Sequence, residues 1–248
     1  MAKKNNWKET KEIILASVIL GFVFGAAYNS GEVFNKFLWI KNYLQQVFLS
    51  LFFLFIFAKT TKSYALTKGV KTTFSIWNSK RFGFPKGAVL QKTSIQWGII
   101  LPLFIALFSK GKLFFSGIIS PEFTTLPKKR IGKKYAEPTE KETANIAIIG
   151  PMVLTLLAIL LSSIKNPDLN NLTLIPFSIA FCTMLPFPKL NGLITYIYGP
   201  VKYVFVMVFI ISAFYLIKVL TPIQSLIFGL ISALIILALN YIISFAKD

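Results

Sequence analysis

Long apolar runs alternate with short polar breaks along this chain. Six runs, at 11–28, 43–58, 144–164, 172–189, 199–220 and 223–246, approach the roughly 20 apolar residues that carry a helix across a bilayer. Asn166-Pro167-Asp168 and Thr221-Pro222 separate the later runs, since Pro and Asn stop helices. A further stretch, 95–120, is interrupted at Pro102 and at Lys110-Gly111-Lys112 and is too broken to span. The pattern predicts an all-α polytopic membrane protein of about six transmembrane helices with a re-entrant or interfacial hairpin. It forms one integral membrane domain over 1–248.

Composition agrees. Hydrophobic residues make up 55% of the chain and charged residues 15%, against about 25% charged in soluble domains. The first run ends in Tyr28-Asn29-Ser30 rather than in a small-x-small cleavage site, so it reads as a membrane helix and not as a cleavable signal. The single Cys, Cys182, has no partner for an internal disulfide.

The formal charge is +18. Its distribution points to lipid headgroups and topology rather than to nucleic acid. Residues 59–93 hold eight Lys/Arg, and residues 109–143 hold another eight. Both flanks of 95–120 are therefore expected on the cytoplasmic side, as is the whole basic region 59–143, and a segment with both ends on one side is a hairpin. With the N- and C-termini also cytoplasmic in the cell membrane, only Lys36, Lys41, Lys165 and Lys218 fall outside or near the outer interface, leaving 23 of the 27 basic residues inside.

The inventory of reactive side chains is sparse. The chain has no His, and its acids are Glu9, Glu12, Glu32, Glu122, Glu137, Glu140, Glu142, Asp168 and Asp248. None falls in the middle of a predicted span. A zinc hydrolase needs nitrogen, sulfur or carboxylate ligands. A Ser or Cys nucleophile has no His base here. Proton-coupled transport normally shows an intramembrane carboxylate or His. No metal, no cofactor and no catalytic residue is expected.

Three segments carry a pattern beyond hydropathy. Met184-Leu185-Pro186-Phe187-Pro188-Lys189-Leu190-Asn191-Gly192 resembles the Asn-x-x-Pro-x-x-Pro-Leu-Asp-Gly segment of the site-2 protease family, intramembrane zinc metalloproteases, particularly its archaeal-type members. Asn191 stands where that family has its third zinc ligand, and Thr183 where it has Asn. Lys141 to Pro151 resembles the entry into the family's Ala-Gly-Pro-x-x-Asn helix; Gly150-Pro151 matches, and Leu154 replaces the Asn. Phe57 to Gly69, with Phe74 and Trp77 beyond, is similar in spacing to the His-Glu-x-x-His segment. Phe57 and Thr61 then replace the two histidines, and Ala58 the glutamate.

The resemblance covers roughly 16–192. It implies a site-2-protease-like core that lacks the metal ligands and the catalytic Glu: a pseudoprotease. The former active-site positions Phe57, Ala58, Thr61, Thr183, Pro186, Pro188 and Asn191 become a candidate client-binding groove. The expected partners are the lipid bilayer and transmembrane segments of other membrane proteins, with no nucleic acid. Rival readings are an insertase- or chaperone-like protein using the hairpin and the basic loops, and a small-solute or lipid transporter. Plainer roles stand beside these. Asn191 bridges backbone groups freed near Pro188, Thr60-Thr61 back-bonds within its helix, Lys59 and Lys62 snorkel to headgroups, and Gly21-x-x-x-Gly25 packs helices. Phe52, Phe53, Phe55 and Phe57 supply bulk, and Lys128-Lys129-Arg130 with Lys133-Lys134 meets lipid.

Overall fold

The computed structural model describes residues 2–25, 35–82, 89–126, 137–164 and 170–245. The basic cluster at 128–134 and the break at 166–168 lie outside the described residues.

The chain opens with two antiparallel helices, α1 (Ala2–Gly25) and α2 (Lys36–Thr67). Asn35 caps α2 by accepting from the backbone N–H groups of Phe37 and Leu38. Gly21 and Gly25 face α2 at Val47 and Tyr43; a Cβ on Gly21 would overlap Val47, so the small residues serve internal packing. The sequence pattern places the end of α2 at 58. It continues nine residues further and stops at Gly69, whose φ is 71°. Phe53 and Phe57 are buried, while Phe52 and Phe55 are exposed.

The all-α expectation needs correction, because four strands form within 70–125. β1 (Val70–Ile76) pairs antiparallel with β4 (Ile119–Thr125), and β2 (Ser79–Phe82) with β3 (Val89–Ile95). β1 alternates buried and half-exposed residues along Val-Lys-Thr-Thr-Phe-Ser-Ile, the period-two pattern of a half-buried strand.

The edge of β1 away from β4 would leave N–H groups unpaired. Two carboxylates from α1 close it. Glu9 Oε1 accepts from Phe74 N at 2.9 Å, and Glu12 Oε2 accepts from Ile76 N at 2.8 Å. Glutamates three apart share a helix face, and strand N–H groups two apart share an edge, so the two spacings match. Pro121, which has no N–H, sits across from Phe74 on β4. Lys62 Nζ lies 2.6 Å from Glu9 Oε1, which corrects its reading as a snorkelling lysine. Glu9→Ala strips Phe74 N–H and Lys62 of a shared charged acceptor. It should cost about 2–3 kcal/mol, measured as a lowered unfolding midpoint in detergent micelles. Glu12→Ala, at a more exposed site, should cost less.

The stretch 95–120 has hairpin geometry. It enters α3 (Trp97–Phe108), turns through Lys110 (φ 51°) and Gly111 (φ 74°), and returns through an irregular segment, 114–118, into β4. Its two ends meet at one residue. Trp77 N donates to Ile118 O at 2.7 Å, and Gly98 N donates to Trp77 O at 2.9 Å.

The remaining helices are α4 (Glu140–Leu161), α5 (Asn170–Thr183), α6 (Asn191–Tyr198), α7 (Pro200–Leu216) and α8 (Pro222–Phe245). Thr139 and Glu142 form a capping box at the start of α4. The expected run 172–189 ends early as a helix, at Thr183. A short irregular link and the extra helix α6 follow. By length and composition, α2, α4 and Pro222–Leu239 of α8 are long and apolar enough to cross a membrane; α3, Asn171–Thr183 and α7 are apolar but shorter. These helices mark the chain as a membrane protein. One large core joins α1, α2, α4, α5 and α7 around Leu20, Phe53, Phe57, Leu154, Ile175 and Phe209.

Candidate functional site

The site builds up from one face of α2. Phe57 and Thr61 are four residues apart, share that face, and are both fully buried. Thr61 Oγ1 donates to Phe57 O at 2.8 Å, and Thr60 Oγ1 donates to Ile56 O at 2.8 Å, so both threonines back-bond within the helix. The facing residue on α4 is Gly150. A Cβ there would lie 2.6 Å from the Phe57 ring and 2.7 Å from Thr61 Oγ1. Phe74, one of the residues that anchors the spacing, packs edge-on against Phe57 at 5.6 Å between ring centroids.

One turn away on α4, Asn191 makes a bond whose origin lies in Pro151. In a regular helix the carbonyl of residue 147 accepts from the N–H of residue 151. Proline has no N–H, so Ala147 O is left without its helical donor. Asn191 Nδ2 supplies one at 2.7 Å. The amide therefore satisfies backbone freed by a proline 40 positions earlier in the chain, not by Pro188. Asn191 Oδ1 is buried without a hydrogen-bond partner. Gly192 allows α6 to start directly against the end of α5; a Cβ there would overlap Met184 O.

Ala147 and Gly150 are three residues apart on α4, so Phe57, Thr61 and Asn191 surround a single turn of that helix. Other expected positions lie elsewhere. Thr183 is buried and donates to Ile179 O at 2.7 Å. Pro186 and Pro188 are exposed in the link between α5 and α6. Ala58 lies on another face of α2. The cluster of Phe57, Thr61, Gly150 and Asn191 is closed packing: the three side chains are at most 1% exposed. Among the described residues, no three His, Cys, Asp or Glu side chains come together as a metal site.

The open space is next door. A groove of ≈ 500 Å³ between α1 and α2 is lined by Glu9, Ile14, Leu51, Phe55, Ala58, Lys59, Lys62 and Ser63, among others. Its walls grade from apolar at Ile14, Leu51 and Phe55 to charged at Lys59, Lys62 and Glu9. A second cavity of ≈ 350 Å³ lies between α5, α7 and Phe114. Hydropathy gives no sign of either, because both need pairs of helices to be placed first. The Glu9-Lys62 pair comes within reach of sequence reading only once β1 is recognised. Comparison with protein-family models, with curated proteins and with solved structures finds no match.

Proposed function

We propose that this chain is a non-catalytic membrane protein on a site-2-protease-like core, which binds the side chains along one face of a partner's transmembrane segment. The graded α1–α2 groove carries this reading. Its apolar end suits the membrane-buried part of a segment, and Lys59 at the other end suits an acidic or polar residue where the segment leaves the bilayer. The cluster around Phe57 and Asn191 is too tightly packed to receive a client, so binding is assigned to the α1–α2 groove, with Ala58 in its wall. In this reading six helices span the bilayer, both termini are cytoplasmic, and 95–120 re-enters the membrane from the cytoplasmic side. The hairpin turns at Lys110 and Gly111 and returns to its starting point at Trp77.

A photo-crosslinking amino acid at Phe55, on the groove wall, should trap a discrete membrane protein in cells. Lys59→Glu or Ala58→Trp should weaken that product several-fold. Product of equal yield from Phe55 and from Tyr215, an exposed residue of α7 that does not line the groove, would remove the groove from consideration. An insertase-like role has one observation in its favour: the hairpin exposes Phe104, Leu107, Phe108 and Leu113. Crosslinks from Phe108 but not from Phe55 would shift the reading to it.

A further inference from the structure

The cavity between α5 and α7 plays no part in the groove. We propose that it holds one acyl chain of an anionic membrane phospholipid, whose headgroup is held by Lys218. Its ≈ 350 Å³ falls within the roughly 300–1,000 Å³ of small-molecule sites. That is less than the roughly 400 Å³ swept by one turn of helix about 10 Å across, so the cavity fits a hydrocarbon chain rather than a protein segment. It follows α5 from Cys182 to Leu174, about 12 Å for eight residues.

Its lining selects an apolar occupant. Phe114, Leu174, Phe177, Ile210 and Phe214 form half of the wall. The hydroxyl of Ser178 is already engaged with Ser116 Oγ at 2.9 Å. Phe181 and Ile211 stand exposed on the flanks, so the opening faces sideways, where lipid surrounds a membrane protein.

A cation stands beside Phe214, whose ring packs against Phe177 of α5 at 5.5 Å between centroids. Lys218 follows the last turn of α7, and its ammonium lies 4.6 Å from the Phe214 ring centroid and 5.8 Å from that of Tyr215. Both rings line the cavity. Lys218 is itself exposed, so the two contacts hold its charge beside these rings while leaving its other side accessible to a phosphate. A lipid with a net negative headgroup is therefore favoured over a zwitterionic one with the same chains. One exposed ammonium–phosphate pair contributes up to about 1 kcal/mol, equivalent to about five-fold.

The test is native mass spectrometry of the full chain released from detergent, titrated with phosphatidylglycerol or phosphatidylcholine of identical acyl chains. The wild-type chain should retain one phosphatidylglycerol, about five-fold more readily than phosphatidylcholine. Lys218→Gln should bring the two lipids level while one is still retained. Ile211→Trp adds bulk at the exposed rim without disturbing the core and should reduce retention of both several-fold. Equal retention of the two lipids by the wild-type chain, or unchanged retention in Ile211→Trp, would overturn the proposal. Neither variant touches the α1–α2 groove, so crosslinking from Phe55 should be unaffected, and the two proposals fail separately.

Discussion

Asn191→Ala should lower stability by about 1–3 kcal/mol, the cost of leaving a buried backbone acceptor without a donor. Most of that loss should disappear when Pro151 is also changed to Ala. The reason is specific to this pair. Pro151 removes the N–H that would close the helical bond to Ala147 O, and Asn191 Nδ2 replaces it at 2.7 Å. In Pro151→Ala, residue 151 regains its N–H, and Ala147 O recovers the ordinary i+4 partner. The amide of Asn191 is then dispensable as a donor, and its buried, unpartnered Oδ1 is a burden that alanine relieves. Unfolding midpoints of the wild-type chain, the two single variants and the double variant in one detergent form a thermodynamic cycle. Residues that share a partner typically couple by about 0.5–3 kcal/mol, and a value in the upper half of that range is expected here. Additive effects would show that Asn191 stabilises the chain through packing alone.

That bond also measures what the sequence can reveal. Gly150-Pro151 inside an apolar run says that one carbonyl is freed and that α4 has a smooth face. It does not say which of the chain's polar side chains arrives there. The resemblance places Asn191 at a functional position, and freed backbone groups near Pro188 are the plainer reading of it. The structure keeps the bridging role and moves it to another helix. Hydropathy locates the long helices because a membrane-crossing length is a property of one segment. It merges α5 with the link that follows it, because the run 172–189 stays largely apolar through Met184, Leu185 and Phe187 although Pro186 and Pro188 prevent a helix there. It misses the strands for a different reason. Lys71, Thr72, Thr73 and Ser75 look like a polar loop until alternation is considered, and β1 is completed only by Glu9 and Glu12, more than 60 residues earlier. Counting charges leads to a segment whose two ends share a side, and the meeting of Ile118 and Gly98 at Trp77 gives it the shape of a hairpin. The lysines at its tip, Lys110 and Lys112, then stand about 15 Å along α3 from that meeting point and are poor guides to the side on which its flanks lie.

Reversing the substituted ligand positions should produce a zinc site. Phe57→His, Thr61→His and Asn191→Asp together place two imidazoles and a carboxylate around one turn of α4, at Gly150 and Ala147. Gly150 has no side chain in the way, and loss of the large, fully buried Phe57 ring compensates for the volume added at Thr61. Three protein ligands with an open fourth position are enough for tight zinc binding. The metal-free variant should be less stable than the wild-type chain, since Asn191→Asp removes the donor to Ala147 O and sets a carboxylate against that carbonyl. Zinc should reverse this, with a linked gain of about 4 kcal/mol at a thousand-fold excess over the dissociation constant. The pair Phe57→His/Thr61→His, which keeps Asn191 on Ala147, should bind zinc more weakly. Ala58→Glu should add nothing to affinity, because Ala58 lines the α1–α2 groove beside Glu9; hydrolysis is therefore not expected to return with the metal. Metal analysis and zinc-dependent unfolding midpoints decide the outcome. A folded triple variant with no zinc would mean that these positions do not meet at one point, and the site-2-protease-like reading of the core would fall with them.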